Sequence, residues 1–291
     1  MAAAKKKSSA TPAVSETAAA LVSKMTPGTG GKRSTKRFIV VYAPGKVGKT
    51  TAASNLRSKW VVSDPNALPT LQALGRLPHA NDIYEVTSLA GARKVAGEML
   101  KVCEEHGGDA LGCEAVVFDS ITQQLDWHQT DVADQTSQRF LGDNQKNNGW
   151  QLFNADFGLL IDDMVRLAQY VHVVALCHAN PKADPGKGQW AGISLNPKMA
   201  ERLGRSCNWL LYMTSRDMSP SEGAKVAKDD PYVSMLDGRA DTNGDPTKRY
   251  TERILHTVPV DGGWHASAAG KNLKAEEVPD LVTLLEKEGL L

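Results

Sequence analysis

Apolar positions along the chain gather into short continuous runs separated by longer stretches of mixed character. Phe38-Ile39-Val40-Val41-Tyr42 is a β-branched and aromatic block with no polar interruption, the pattern of a strand buried on both faces of a parallel sheet. Similar blocks occur at Trp60–Ser63, at Ala115–Phe118, at Val171–Cys177 and at Asn208–Met213, with a shorter one near Ile83–Val86. Between them lie stretches with helical spacing. Ala52–Lys59 is helix-compatible, Gly91–Glu105 places Val95, Met99 and Val102 on one face, and Phe153–Gln169 is amphipathic. A helix near Pro197–Gly204 and a terminal helix over Val278–Glu288 complete the set. Strands alternating with helices predict right-handed βαβ units, hence an α/β fold with a mainly parallel central sheet flanked by helices. Around Arg253–Thr257 and Gly263–Ser267 the pattern predicts a strand pair, whereas residues 128–150, 180–198 and 215–248 read as polar loops.

Residues 1–36 break with all of this. They are rich in Ala, Lys, Ser, Thr and Gly and short of large apolar side chains, so they bury too little surface to offset the entropy of ordering. The expected organisation is therefore a flexible, disordered N-terminal arm over 1–36 and a single domain over 37–291. Charge sharpens that division. Over 291 residues, 34 Lys+Arg against 33 Asp+Glu give a net charge of +1. Met1–Phe38 alone holds eight basic residues and one acid, Glu16, a charge of +7; the remainder holds 26 basic and 32 acidic residues, a charge of −6. A basic arm on an acidic body is a different object from a neutral protein. No apolar run approaches the roughly 18 residues needed to span a bilayer, so no membrane role is expected. Cys103, Cys113, Cys177 and Cys207 form no C-x-x-C pair. With no apolar leader behind the first basic residues, a reducing, cytoplasmic compartment is the simplest expectation.

The strongest chemical signal follows the first apolar block. Ala43-Pro44-Gly45-Lys46-Val47-Gly48-Lys49-Thr50-Thr51 joins a buried strand to a helix start, where backbone N–H groups converge on an anion. Gly45 and Gly48 allow close backbone approach, Lys49 has the reach for the β- and γ-phosphates, and the Thr50 hydroxyl is a Mg²⁺ ligand. Ala43 stands where the strict motif has Gly, and its small side chain still permits the turn. A Gly/Lys-rich surface turn would explain neither the flanking strand and helix nor the Lys49-Thr50 pair. A second acid belongs at the end of a neighbouring strand, and Asp119, closing Ala115–Phe118, is placed to hold Mg²⁺. ATP and Mg²⁺ are thus the expected ligands.

The order of these features, with a strand ending on Asp64, Val-Val-Phe-Asp-Ser at 116–120 and an apolar strand ending on His178, resembles the RecA-like P-loop ATPase core. The sequence Asp-Ser-Ile-Thr at 119–122 and the Lys-containing segment Ala269-Gly270-Lys271-Asn272 bring it nearest to phage-encoded RecA-like ATPases that assist single-strand annealing and recombination. The resemblance spans about residues 37–285. It implies a γ-phosphate sensor at His178. Lys271 would be the cation supplied to the neighbouring subunit's site, with Arg253 and the pair Lys248-Arg249 as alternatives. It also implies a single-strand DNA site in the loop 180–198, where Lys182, Lys187, Trp190 and Lys198 combine phosphate-binding cations with a stacking aromatic. A disordered surface loop is the competing reading of that stretch. Arg139, Lys146 and Trp150 make the loop 128–150 a weaker second candidate.

One departure matters. Such ATPases place a Glu just beyond the second strand to orient water; here Val62-Ser63-Asp64-Pro65-Asn66 offers only Asp64, whose side chain is shorter. Two functions follow: a DNA-stimulated ATPase acting as a ring or filament on single-stranded DNA in phage recombination, annealing or replication, or a nucleotide-dependent DNA-binding or partner-recruiting module with little turnover. A single-strand-binding or annealing protein is the expected protein partner. A small-molecule kinase would need an arginine-rich lid, and Arg202 and Arg205 are too few and follow the wrong strand.

Overall fold

The computed structural model describes residues 35–138, 141, 149–180, 192–219, 232–240, 246–260, 266–268 and 270–291. Residues 1–34 of the basic arm, and Lys182, Lys187 and Trp190, lie outside them. Strand β1 (Phe38–Ala43) leads into α1 (Lys49–Ala53), β2 (Ser58–Val62) and α2 (Ala67–Ala73). Then follow β3 (Ile83–Glu85), α3 (Leu89–His106), β4 (Ala115–Asp119), α4 (Ile121–Gln135), α5 (Gly149–Leu167) and β5 (His172–His178). The remaining elements are α6 (Pro197–Ser206), β6 (Trp209–Met218), β7 (Val233–Ala240), β8 (Pro246–His256), β9 (Ser267–Ala268), β10 (Glu276–Glu277) and α7 (Leu281–Lys287).

The strands form one sheet in the order β10-β8-β6-β1-β5-β4-β2-β3, with β7 on β8 and β9 on β6. From β6 to β3 every pairing along that path is parallel, and β7, β8, β9 and β10 add antiparallel pairs. The expected α/β class, a mainly parallel sheet flanked by helices, is the observed one. Alternate strand residues serve two cores. Phe38, Val40, Tyr42, Val116, Phe118, Val173 and Ala175 pack beneath α3 to α6, while Ile39, Val41, Val117, Val174 and Leu176 pack beneath α1, α2 and α7. A two-sided core is why these strands read as unbroken apolar blocks.

Several boundaries differ from expectation, each for a local reason. Helix α1 stops at Ala53, where the Ser54 N–H (3.2 Å) and hydroxyl (2.7 Å) both donate to the Thr51 carbonyl and close a tightened last turn. In α3 the buried stripe is Leu89, Ala92, Ala96, Met99, Leu100 and Cys103, so Val102 points outward although its type suggested the core. Residues 128–135 extend α4 rather than open a loop, because His128, Val132 and Ala133 are buried against the neighbouring helices. The stretch 215–248 contains three strand segments instead of an unstructured insertion. Thr214-Ser215-Arg216-Asp217 has no apolar face, so no alternation marks it; it is held by the ladder to β8 and by an Arg216–Glu252 ion pair at 2.7 Å. The strand pair expected around Arg253–Thr257 and Gly263–Ser267 falls partly outside the described residues. Both β8 and β9 use the same edge of β6, one after the other.

A buried histidine fastens the start of the sheet to the chain's last residues. His172 Nδ1 accepts from the Arg37 N–H (3.1 Å) and Nε2 faces the Leu290 carbonyl (3.2 Å). Only the neutral ring protonated at Nε2 satisfies both. Burial, with help from Lys36 and Arg37, lowers its pKa from 6.5 to about 4. The unfolded chain therefore binds the extra proton first, so this contribution to stability is complete above about pH 6.5 and is lost as pH falls towards 4. The expected result is an imidazole NMR titration near pH 4, with denaturant-measured stability falling by up to about 3 kcal/mol across that window from this group; a His172 titration near 6.5 would disprove the clasp.

Candidate functional site

The site is assembled at the C-terminal ends of β1, β2, β4 and β5. Pairing places Ala43 beside His178, Asp119 beside Leu176 and Val62 beside Asp119, so the loop after β1 faces the ends of its neighbours. Two residues of that loop have left-handed backbone, Lys46 (φ 64°) and Gly48 (φ 104°), and this folds the chain back over the first turn of α1. The N–H groups of that turn have no intrahelical acceptor. Ala43 is buried in β1, Val47 packs on the core beneath α1, and the Pro44 carbonyl lies 3.5 Å from Lys49 Nζ.

A cleft of about 610 Å³ opens over the loop, lined by Gly45, Lys46, Gly48, Lys49, Thr50 and Thr51, and by Asp64, Asp119 and His178. These sequence-selected residues meet in one place. Asn66, Thr70, Gln123 and Arg253 also line it. Gln123 lies four residues past Asp119, on the first turn of α4, a spacing that could have marked it. Asn66 on the β2–α2 connection and Thr70 on α2 follow Asp64 with no comparable signal. Arg253 reaches the loop of its own chain, although the sequence offered it as a cation for a neighbouring one.

Three contacts define the chemistry. Thr50 Oγ1 donates to Asp119 Oδ2 at 2.7 Å. Lys49 Nζ sits 3.4 Å from His178 Nδ1, and His178 Nε2 is 4.0 Å from Asp64 Oδ2. With Lys49 as the ammonium donor, Nδ1 accepts and Nε2 carries the ring proton towards Asp64. The ends of β2 and β4 are clamped: the Ser63 hydroxyl accepts from the Ser120 N–H (3.0 Å) and donates to the Ser120 carbonyl (2.8 Å), while the Asp64 N–H bonds to the Asp119 carbonyl (3.0 Å). Asp64 Oδ1 accepts from both the backbone and the side chain of Asn66 (2.8 and 3.1 Å). The His178 N–H donates to Thr122 Oγ1 (2.8 Å), which ties β5 to the start of α4.

Burial governs the charges. It raises the Asp119 pKa to about 6, against the Thr50 hydrogen bond and Lys49. It lowers Lys49 despite Asp119, Cys177 and Asp64, and it lowers His178, with Lys49 adding to the effect. Each group is short of the solvation its charged form wants. A desolvated carboxylate in contact with a Thr hydroxyl fits a Mg²⁺ site of the kind that relies on one or two protein oxygens plus phosphates and water. Thr50 and Asp119 would hold such an ion, which would neutralise phosphate charge. Among the described residues no cluster of three or more His, Cys, Asp or Glu could hold a metal by itself, and no helix is long and apolar enough to cross a membrane.

The other selected residues lie elsewhere. Lys271 is exposed and does not line the cleft of its own chain; its N–H donates to Glu288 Oε2 (3.0 Å). Lys198 is exposed on the first turn of α6, a helix rather than a loop. Trp150 lies on the first turn of α5, edge-on to Phe153 with ring centroids 5.5 Å apart. Arg139 and Lys146 fall outside the described residues.

A phosphate loop between a buried parallel strand and a helix, with a buried strand-end aspartate on its threonine, defines a nucleotide-binding P-loop ATPase domain. The chain belongs to the AAA domain family, whose model matches residues 35–238. No curated protein matches it. One similar solved structure is a DnaB-like replicative helicase described with its interactions with primase: identity is 10%, the match covers 81% of this chain and 59% of that one, and the TM-score is 0.35. The chain thus spans well under two thirds of that helicase, and the assignment rests on the family match and the loop geometry instead.

The buried charge on Asp119 yields a prediction. Its folded pKa lies above the ordinary 3.8, so its cost is fully present above about pH 6 and is relieved as pH falls through that value. The cost is on the order of 3 kcal/mol. Asp119→Asn should therefore raise the melting temperature of the nucleotide-free protein at pH 7.5, keep about half of that advantage at pH 5 and lose it below about pH 4, while abolishing the Mg²⁺-dependent part of nucleotide binding in titration calorimetry.

Proposed function

We propose that the protein is a Mg²⁺-dependent ATPase that binds single-stranded DNA as a ring or filament, with a role in phage recombination, annealing or replication. The observation that carries the ATPase reading is the chain of contacts from Thr50–Asp119 through Lys49 to His178, on one cleft over a phosphate loop. Lys49 would leave His178 for the γ-phosphate when nucleotide enters. His178 would then report the change through its strand to the segment beyond Asn180, where Lys182, Lys187 and Trp190 are the proposed DNA contacts, with Lys198 on the next helix. Asp64 is the proposed water-orienting base. The basic arm would add sequence-independent phosphate contacts, and Lys271 would complete a neighbouring subunit's site, a role consistent with its absence from its own.

One observation favours the low-turnover alternative. Asp64, the acid just past the second strand, is shorter than Glu, and one of its oxygens already accepts two hydrogen bonds from Asn66. Nucleotide would then act mainly to order the DNA-binding assembly.

Steady-state ATP turnover separates the two. Stimulation by single-stranded DNA, lost in Lys49→Ala by at least about 100-fold as expected for a phosphate-contacting cation, supports the enzyme; nucleotide-dependent DNA binding without turnover supports the alternative. Removal of residues 2–36 should lower DNA affinity and reduce the slope of log affinity against log salt. An unchanged slope would remove the arm from the mechanism.

A further inference from the structure

We propose that Arg253 is a phosphate-binding residue acting in cis, holding the nucleotide's phosphate chain at its α- and β-phosphates on the flank opposite Asp119 and His178. The inference rests on the nucleotide reading above and assigns a contact that the phosphate-loop motif does not contain.

Register brings Arg253 to the loop. Strand β6 runs parallel to β1, with Tyr212 beside Tyr42 as the last pair. It then continues past the end of β1 to Met218, and Arg253 on β8 pairs with Ser215 on that overhang, three residues beyond Tyr212. The overhang therefore projects alongside the loop that follows β1. Parity fixes the face. Arg253 is two residues from Leu255, which packs in the core beneath α1, so its side chain leaves the sheet on the side where α1 begins. There the guanidinium covers Gly48: a Cβ built on Gly48 would lie 3.0 Å from Arg253 Nη1 and 3.2 Å from Cζ.

The charge of the cleft fits an extended anion. Lys46, Lys49 and Arg253 line it together with Asp64 and Asp119. Sheet order sets which phosphates Arg253 meets. β5, β4 and β2 lie on one side of β1 and carry the residues for the terminal phosphate and the metal, while β6 and β8 lie on the other. With the terminal phosphate assigned to the flank of Asp119 and His178, an arginine fork on the second flank is left the phosphates nearer the nucleoside, which its planar donors suit. It remains charged although burial lowers its pKa.

The test compares binding of fluorescent ATP and ADP analogues to the full chain and to Arg253→Met, Arg253→Lys and Lys49→Ala, with melting of each nucleotide-free variant as a control. Methionine keeps the apolar stem and removes the charge; lysine keeps the charge and loses the fork. The expected result is that Arg253→Met weakens ATP and ADP alike, by about 10- to 100-fold, and that Arg253→Lys recovers part of the loss. A loss confined to ATP, or to turnover alone, would make Arg253 a terminal-phosphate or transition-state group and overturn the proposal, as would unchanged affinity for both. If Arg253→Met melts early, Arg253→Lys decides by the same comparison. Should Lys49→Ala leave ATP affinity intact, the nucleotide pocket itself fails, a result distinct from failure at Arg253 alone.

Discussion

The pairing register of β1 with its two parallel neighbours fixes where every functional atom lies. Ala43 sits beside His178, and Tyr42 beside both Cys177 and Tyr212. Side chains alternate between faces, so a slip of one residue in the β1–β5 pair would turn His178 away from Lys49 and bury it under the wrong layer. The apolar blocks prevent this. Both faces of β1 are fully buried, and each alternate residue has a different core to fill. The same side chains that make the sheet stable thus hold the phosphate loop, the strand-end acid and the histidine in one frame.

Within that frame the ionisable groups sit where their charges are poorly solvated. Asp119 is shifted up, and Lys49 and His178 are shifted down, all chiefly by burial. Protein side chains alone do not relieve this, because the cleft brings cations and carboxylates close without enough water. A metal ion and a polyphosphate would supply the missing opposite charges at the same moment.

Sequence made the centre of this molecule legible and its periphery much less so. The loop 43–51 and Asp119 carry their meaning in residue type and order, and the strands that hold them are apolar enough to recognise without alignment. The β6–β8 extension is different. Thr214 to Asp217 are polar towards both faces and stand on ladder bonds and cross-strand ion pairs, neither of which leaves a periodic trace. Arg253 illustrates the consequence, because a cation's position relative to a loop some two hundred residues earlier depends on register that one chain's text does not contain. Val102 shows the converse error, an apolar side chain on the exposed side of a helix whose buried stripe is partly alanine. The finer expectation of a phage annealing or recombination protein draws on resemblance, and its DNA-contact residues lie largely outside the described segments.

The Ser63 hydroxyl, bonded twice to the backbone of Ser120, has a consequence for how the cleft opens and closes. It acts as a yoke between the two strand ends that carry Asp64 and Asp119, so the two acids proposed to hold metal and orient water share one base. Any rearrangement during a catalytic cycle has to carry both acids together or break two buried hydrogen bonds that solvent is not there to replace. Asp64 and Asp119 thus stand in the cleft as one unit, coupled through a single serine hydroxyl that neither of them touches.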